Sequence, residues 1–292
     1  MVPRGILLAA ASLAALTLAA ASPGAATRWI VFSGEQGVTV PQLFRIDTAG
    51  GGLKQLTTGR LPAVSPDFSP NGKRIVFTRL GSGIFTMDVD GTGVRRLTSN
   101  GRDSYAVWSP DGKRIAFIRI VGVNWRLFTM TADGKQERRL PGAPPAGRPS
   151  WTKDGKSILV PSTGDLVRVD STSGRIQKYH GVTLDIQTGQ TATVSPNGRQ
   201  TAFVNPRRAT GPPDCGEGRC QQFGLYLANV QAPHRMRKLV DDAGAPGWSP
   251  DSGSIVYAAK GVLKVRNVKS GAQRTITTGT TVVIGDAPPA WG

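Results

Sequence analysis

The sequence predicts an all-β fold: a six-bladed β-propeller with four antiparallel strands per blade, its ring closed by the C-terminal strand pairing into the N-terminal blade. Three observations predict it. A cassette exemplified by Trp108-Ser-Pro-Asp-Gly-Lys-Arg-Ile-Ala-Phe117 recurs along the chain. Its copies are spaced by about the length of one four-stranded unit. A last copy is divided between the two ends, so the termini must meet.

The internal copies begin at Phe68, Trp108, Trp151, Val194 and Trp248, and in each the first and last residues lie nine positions apart. Trp291 supplies the opening residue of the sixth copy, while Trp29-Ile-Val-Phe32 supplies its second half. Successive copies are 40, 43, 43, 54 and 43 residues apart. The first strand of each blade ends at the cassette's opening residue. Ser-Pro-Asp/Asn-Gly then makes a tight turn: proline presets φ, Asp or Asn follows, and glycine takes the left-handed position, as in Ser109 to Gly112. The second strand, Arg-Ile-Ala-Phe or its equivalent, is apolar on both faces, as a sheet packed between two neighbours requires.

A third strand is equally regular, from Leu43-Phe-Arg-Ile-Asp47 through Ile84-Phe-Thr-Met-Asp88 to Leu263-Lys-Val-Arg-Asn267. Five of its six copies end in Asp or Asn, which start turns through their own side-chain hydrogen bonds. The outer strand follows, as in Leu53-Lys-Gln-Leu-Thr57 and Val94-Arg-Arg-Leu-Thr98, with cations interrupting the apolar positions. Residues 27–292 form one propeller domain, with no stretch left for a second.

Residues 1–26 read as a secretory signal peptide: Arg4 precedes an uncharged run of 16 residues from Ile6 to Ala21, with small residues after it. The run is shorter than the roughly 20 residues a membrane-spanning helix needs. The chain is therefore expected to be secreted or periplasmic, with no membrane span after signal cleavage.

Ser-Pro-Asp-Gly-Lys-Arg-Ile-Ala-Phe, followed by a hydrophobic strand ending in Asp and by Val-Arg-Arg-Leu-Thr, resembles the WD-like repeat of TolB-like β-propellers. It is also similar to the propeller domain of prolyl-oligopeptidase-type peptidases. The resemblance covers roughly residues 27–292 and is strongest in blades two and three. It implies the fold, because the repeated residues make turns and pack blades.

The chain has 36 Lys and Arg against 19 Asp and Glu, a net charge of +17, and a pI near 10.7. Such a charge favours anionic partners. It equally fits protection of sheet edges, since nine cations fall on outer strands: Lys54, Arg95, Arg96, Arg138, Arg139, Lys178, Arg237, Lys238 and Arg274. Export makes nucleic acid an unphysiological partner.

The two cysteines, Cys215 and Cys220, lie in a Gly/Pro-rich insertion between the second and third strands of blade five. In an oxidising compartment they are expected to form a disulfide that stiffens a contact loop. His180 and His234 fall at a strand end and a turn, and Gly-x-Ser-x-Gly is absent from the sequence. Asp88-Val-Asp-Gly-Thr-Gly93 lacks the distal Glu of a calcium loop and coincides with a repeated turn. No catalytic constellation, metal or cofactor is predicted.

One face of the ring carries short, similar turns. The other carries the variable loops between second and third strands together with the links between blades. Variable loops on a rigid scaffold make a binding surface. Its charged or aromatic candidates are Glu35, Arg60, Arg79, Arg102, Asp103, Trp125, Arg148, Arg207, Arg208, Lys260 and Asp286. The expectation is an exported, non-enzymatic, monomeric binding module that recognises an envelope protein or an anionic cell-surface polymer. The alternatives are a glycan lyase or hydrolase with its site at the channel mouth, and a structural or sensory domain without a tight ligand.

Overall fold

The computed structural model describes residues 28–37, 40–142, 145, 147–162, 165–179, 192–208, 221–230, 232–276, 283–284 and 289–292. The expected signal peptide, Cys215, Cys220, His180 and Asp286 lie outside the described residues.

Blade one contains β1 (Trp29–Glu35), β2 (Gln42–Asp47) and β3 (Lys54–Gln55). Blade two contains β4 (Ala63–Phe68), β5 (Arg74–Arg79), β6 (Gly83–Asp88) and β7 (Arg95–Arg96). Blade three follows with β8 (Asp103–Trp108), β9 (Arg114–Val121), β10 (Asn124–Thr131) and β11 (Arg138–Arg139). Blade four has β12 (Ser150–Trp151), β13 (Ser157–Ser162), β14 (Asp165–Asp170) and β15 (Ile176–Tyr179). Blade five has β16 (Ala192–Val194), β17 (Gln200–Arg208), β18 (Gln221–Asn229) and β19 (Ala232–Asp241). Blade six has β20 (Gly247–Trp248), β21 (Ser254–Ala259), β22 (Val262–Asn267) and β23 (Gln273–Ile276).

The chain then returns to blade one. There β24 (Val283–Ile284) pairs with Gly34 and Glu35, and β25 (Ala290–Trp291) pairs with Ile30 and Val31. The innermost strand of blade one is thus supplied in two pieces by the end of the chain. Reciprocal backbone bonds between Trp29 and Gly292, at 3.0 and 2.9 Å, close the ring.

The cassette explains each first hairpin. In blade three the Arg114 N–H donates to Ser109 Oγ (2.9 Å), the Ser109 hydroxyl donates to Asp111 Oδ1 (2.6 Å), and Gly112 sits at φ +68°. Blades two, four, five and six repeat these bonds from Ser69, Thr152, Ser195 and Ser249.

The core is divided among six seams, each between two blades. Ile30, Phe32, Phe44 and Ile46 face blade six, meeting Val256, Leu263 and Val265. Val31 and Leu43, on the opposite face of the same strands, meet Ile75, Phe77 and Met87 of blade two. Strands apolar on both faces follow directly from this geometry, because successive side chains point to opposite sides of a sheet. Within four blades, the aromatic that ends the cassette pairs across the sheet with one on the third strand. Phe32–Phe44, Phe77–Phe85, Phe117–Phe128 and Phe203–Tyr226 stack at 5.5–5.9 Å between centroids.

The outer cations do more than guard an edge. Lys54 of blade one donates to Asp90 O of blade two (2.8 Å), and Arg95 of blade two to Asp133 O of blade three (2.7 Å). Arg138 of blade three donates to Ser171 O of blade four (3.1 Å), and Arg237 of blade five to Val268 O of blade six (3.0 Å). Each reaches a carbonyl at the end of the third strand or in the turn after it, one blade on. They stitch neighbouring blades together.

Candidate binding face and central channel

Because the strands of a blade are antiparallel, its connections alternate between the two faces of the ring. One face collects the cassette turns and the turns after each third strand. Seven described acids are spent there on capping backbone: Asp47, Asp90, Asp111, Asp133, Asp154, Asp170 and Asp251 each accept a local backbone N–H. The Ser109 hydroxyl, then the Lys113 N–H, holds Asp111 below its ordinary pKa. The Thr131 hydroxyl does the same for Asp133, which falls to about 2.

The opposite face collects the links between blades and the turns between second and third strands. Arg60, Arg102 and Lys260 are exposed and Arg79 is half-buried. None of these four is in an ion pair among the described residues. The Asx turns thus commit their acids to capping backbone on one face, whereas on the other face, which also holds Glu35, Asp241 and Asp242, these four cations stand outside ion pairs among the described residues.

The channel is lined by the ends of the innermost strands. The cassette's opening residue from every blade contributes: Phe68, Trp108, Trp151, Val194, Trp248 and Trp291. So does the residue before each: Asp67, Val107, Ser150, Thr193, Gly247 and Ala290. They bound a cavity of about 390 Å³ that opens on the turn face. Two of the tryptophans latch onto the preceding blade: Trp151 Nε1 donates to Val107 O (3.3 Å) and Trp248 Nε1 to Thr193 O (3.0 Å).

One ion pair crosses this channel wall. Arg148 of blade four reaches past blade three to Asp67 Oδ1 of blade two (2.6 Å) and donates to Pro66 O (3.1 Å). Asp67 Oδ2 accepts the Trp108 N–H of blade three (2.8 Å). Three blades are gathered on one carboxylate. A quarter of the Asp67 side chain still meets channel water, yet protein surrounds it, and burial raises its pKa against the pull of Arg148 and the Trp108 N–H.

A family model described as the TolB β-propeller domain matches residues 19–153. The Tol-Pal system protein TolB of Gluconobacter oxydans (strain 621H) is 47% identical over 58 residues, which is 19% of this chain and 13% of that protein. TolB from Acinetobacter baumannii superposes with a TM-score of 0.70 at 20% identity, covering 91% of this chain and 66% of that one. A protein assigned as TolB in Agrobacterium tumefaciens gives 0.61 at 15% identity, covering 89% and 90%. The chain shares the β-propeller fold of these TolB structures and resembles the TolB β-propeller domain over residues 19–153. It spans 13% of the curated relative and 66% of the Acinetobacter protein.

This TolB-like ring distributes the sequence-derived candidates unevenly. Arg60, Arg79, Arg102 and Lys260 stand on the loop face as expected, and Glu35 closes β1 there. Asp103 is buried at the start of β8, where Arg119 holds it through two bonds, one of them from Nη2 to Oδ2 at 2.8 Å. Those bonds, with Glu137 beyond, raise the Arg119 pKa. Trp125 leans on Tyr105 at 6.1 Å. Arg207 and Arg208 lie on β17, the arm of the blade-five insertion. Arg148 belongs to the channel wall, three residues before the cassette of its blade.

Asp67 escaped sequence reasoning altogether. Its signal was present: among the six residues that immediately precede a cassette, it is the one acid.

Proposed function

We propose that this chain is an exported, non-enzymatic binding module that recognises an envelope protein or an anionic cell-surface polymer through its loop face. The observation that carries the reading is the set of loop-face cations Arg60, Arg79, Arg102 and Lys260, none of which is in an ion pair among the described residues, whereas the turn-face acids Asp111 and Asp154 are committed to backbone caps. A basic surface on a rigid ring attracts and orients anionic partners over a Debye length, about 8 Å at physiological salt. Export rests on the N-terminal apolar run, and a Cys215–Cys220 disulfide would stiffen the blade-five insertion.

The test is capture from envelope extract at low ionic strength by the native protein and by an Arg60→Glu/Arg102→Glu/Lys260→Glu variant. A partner retained by the first and lost by the second supports the reading. Equal retention by both, or none by either, sinks it.

A further inference from the structure

The loop face of blades two and three exposes apolar side chains that the seams leave out: Leu61 is 42% exposed, Leu80 44%, Val121 49% and Val123 91%. Their segments are contiguous. The Leu80 N–H donates to Pro62 O (3.0 Å), which joins the turn between β5 and β6 to the link that carries Leu61. Gly101 lies so close to the Gly81 carbonyl that a Cβ there would clash, which joins that turn to the next link. Arg102 Nη1 donates to Gly122 O (3.3 Å), which joins this link to the turn between β9 and β10.

Cations alternate with the apolar tips along this arc. Arg60 precedes Leu61, Arg79 precedes Leu80, and Arg102 reaches the Val121–Val123 turn. Residues 58–62, 79–83, 99–102 and 121–124 contain no acid.

The shape is convex. Strands β5 and β9 start at equivalent cassette positions, Arg74 and Arg114, but β9 has 8 residues where β5 has 6. At about 3.3 Å per residue, the blade-three hairpin projects roughly 7 Å farther. Gly122, at φ +63°, forms its two-residue tip with Val123. A protein partner is anchored best where a side chain fills a pocket. Projecting apolar tips ringed by guanidinium groups instead suit a headgroup layer, which amphipathic elements enter to about 5–10 Å while cations meet the phosphates.

We propose that the loop face of blades two and three docks peripherally on an anionic lipid bilayer, with Val123 and Leu80 entering the interface and Arg60, Arg79 and Arg102 facing lipid phosphates. This rests on the loop face being the binding side of the ring.

The test is co-sedimentation of the full protein with vesicles of equal parts phosphatidylglycerol and phosphatidylcholine, against pure phosphatidylcholine, at physiological ionic strength. Binding is expected with the anionic vesicles alone, weakened about ten-fold by Leu80→Ser/Val123→Ser and about ten-fold or more by Arg60→Gln/Arg102→Gln. A Val123→Trp variant should show blue-shifted emission on these vesicles and quenching by brominated lipid. A Lys113→Trp variant on the turn face should show neither.

Absence of binding to the anionic vesicles overturns the proposal, as does binding that the Leu80→Ser/Val123→Ser variant leaves intact or an equal response of both tryptophan variants. If envelope extract yields a partner lost on charge reversal while vesicles do not bind, the lipid assignment falls and the binding reading stands. If both fail, both fall.

Discussion

Ser252 takes a backbone conformation that the equivalent turns of blades two to five give to glycine, at φ +61° beside +68° for Gly72 and Gly112. A non-glycine residue there costs on the order of 1 kcal/mol. The serine offsets this by accepting the Asn197 N–H of blade five at 3.0 Å. Ser252→Gly should therefore be nearly neutral, within about 1 kcal/mol, whereas Ser252→Ala keeps the strain, loses the bond and should cost about 2 kcal/mol; urea unfolding distinguishes the two. A sharper asymmetry is expected at the channel pair. Asp67→Ala strands a guanidinium that cannot give up its proton in a site only 6% exposed and should cost about 3 kcal/mol. Arg148→Met leaves a carboxyl that can neutralise itself. Its pKa, already raised by burial, rises further without the cation. A group whose folded pKa exceeds its unfolded value contributes stability at low pH and loses it as pH rises through the folded value. The deficit of Arg148→Met should thus shrink as pH falls toward about 4, and an undiminished deficit would contradict this account.

At the scale of the turn, acids and hydroxyls act together. Asp90, Asp111, Asp133, Asp154, Asp170 and Asp251 all have lowered pKa values, chiefly from hydrogen bonds within their own turns. Lowered folded values give stability that is full above the unfolded pKa, about 3.9, and is lost as pH falls through the folded ones. Thermal midpoints should hold from neutrality to about pH 5 and fall between about pH 4 and 2, because six such turns outnumber the opposite influence of Asp67; a flat profile there would count against the turn chemistry. The same turns explain what could be read from sequence. Pro, Asp/Asn and Gly at fixed offsets report local backbone geometry, so the blades, their number and the split sixth copy were legible. The stitching role of Lys54, Arg95, Arg138 and Arg237 was not, since each partner is a carbonyl of the next blade, and a carbonyl leaves no trace in the residue sequence. Arg148 likewise resembled a loop cation. Only closure of the ring turns the position three residues before its cassette toward the channel.

For the whole molecule, stability depends on six seams, each of which needs both of its blades. Blade one is the place where that arrangement is most exposed to damage, because β25 is the last element of the chain and seats Trp291 against the seam with blade six. Removing residues 286–292 would delete the reciprocal Trp29–Gly292 bonds, the pairing of Ile30 and Val31 with β25, and the packing of Trp291. At roughly 1 kcal/mol per backbone bond and about 2 kcal/mol for the partly buried indole, the loss is on the order of 5 kcal/mol. That is a large share of the 5–15 kcal/mol typical of a domain, so the midpoint should drop by about 10 °C or more. Amide exchange should locate the damage as well as its size. Protection should fall first in β1 and in the strands it packs against, β4 to β6 on one side and β20 to β22 on the other, while β12 to β14 across the ring keep theirs at moderate temperature. Uniform loss of protection would mean the ring unfolds as one unit without a weak seam. An unchanged midpoint would mean that β25 does not close it.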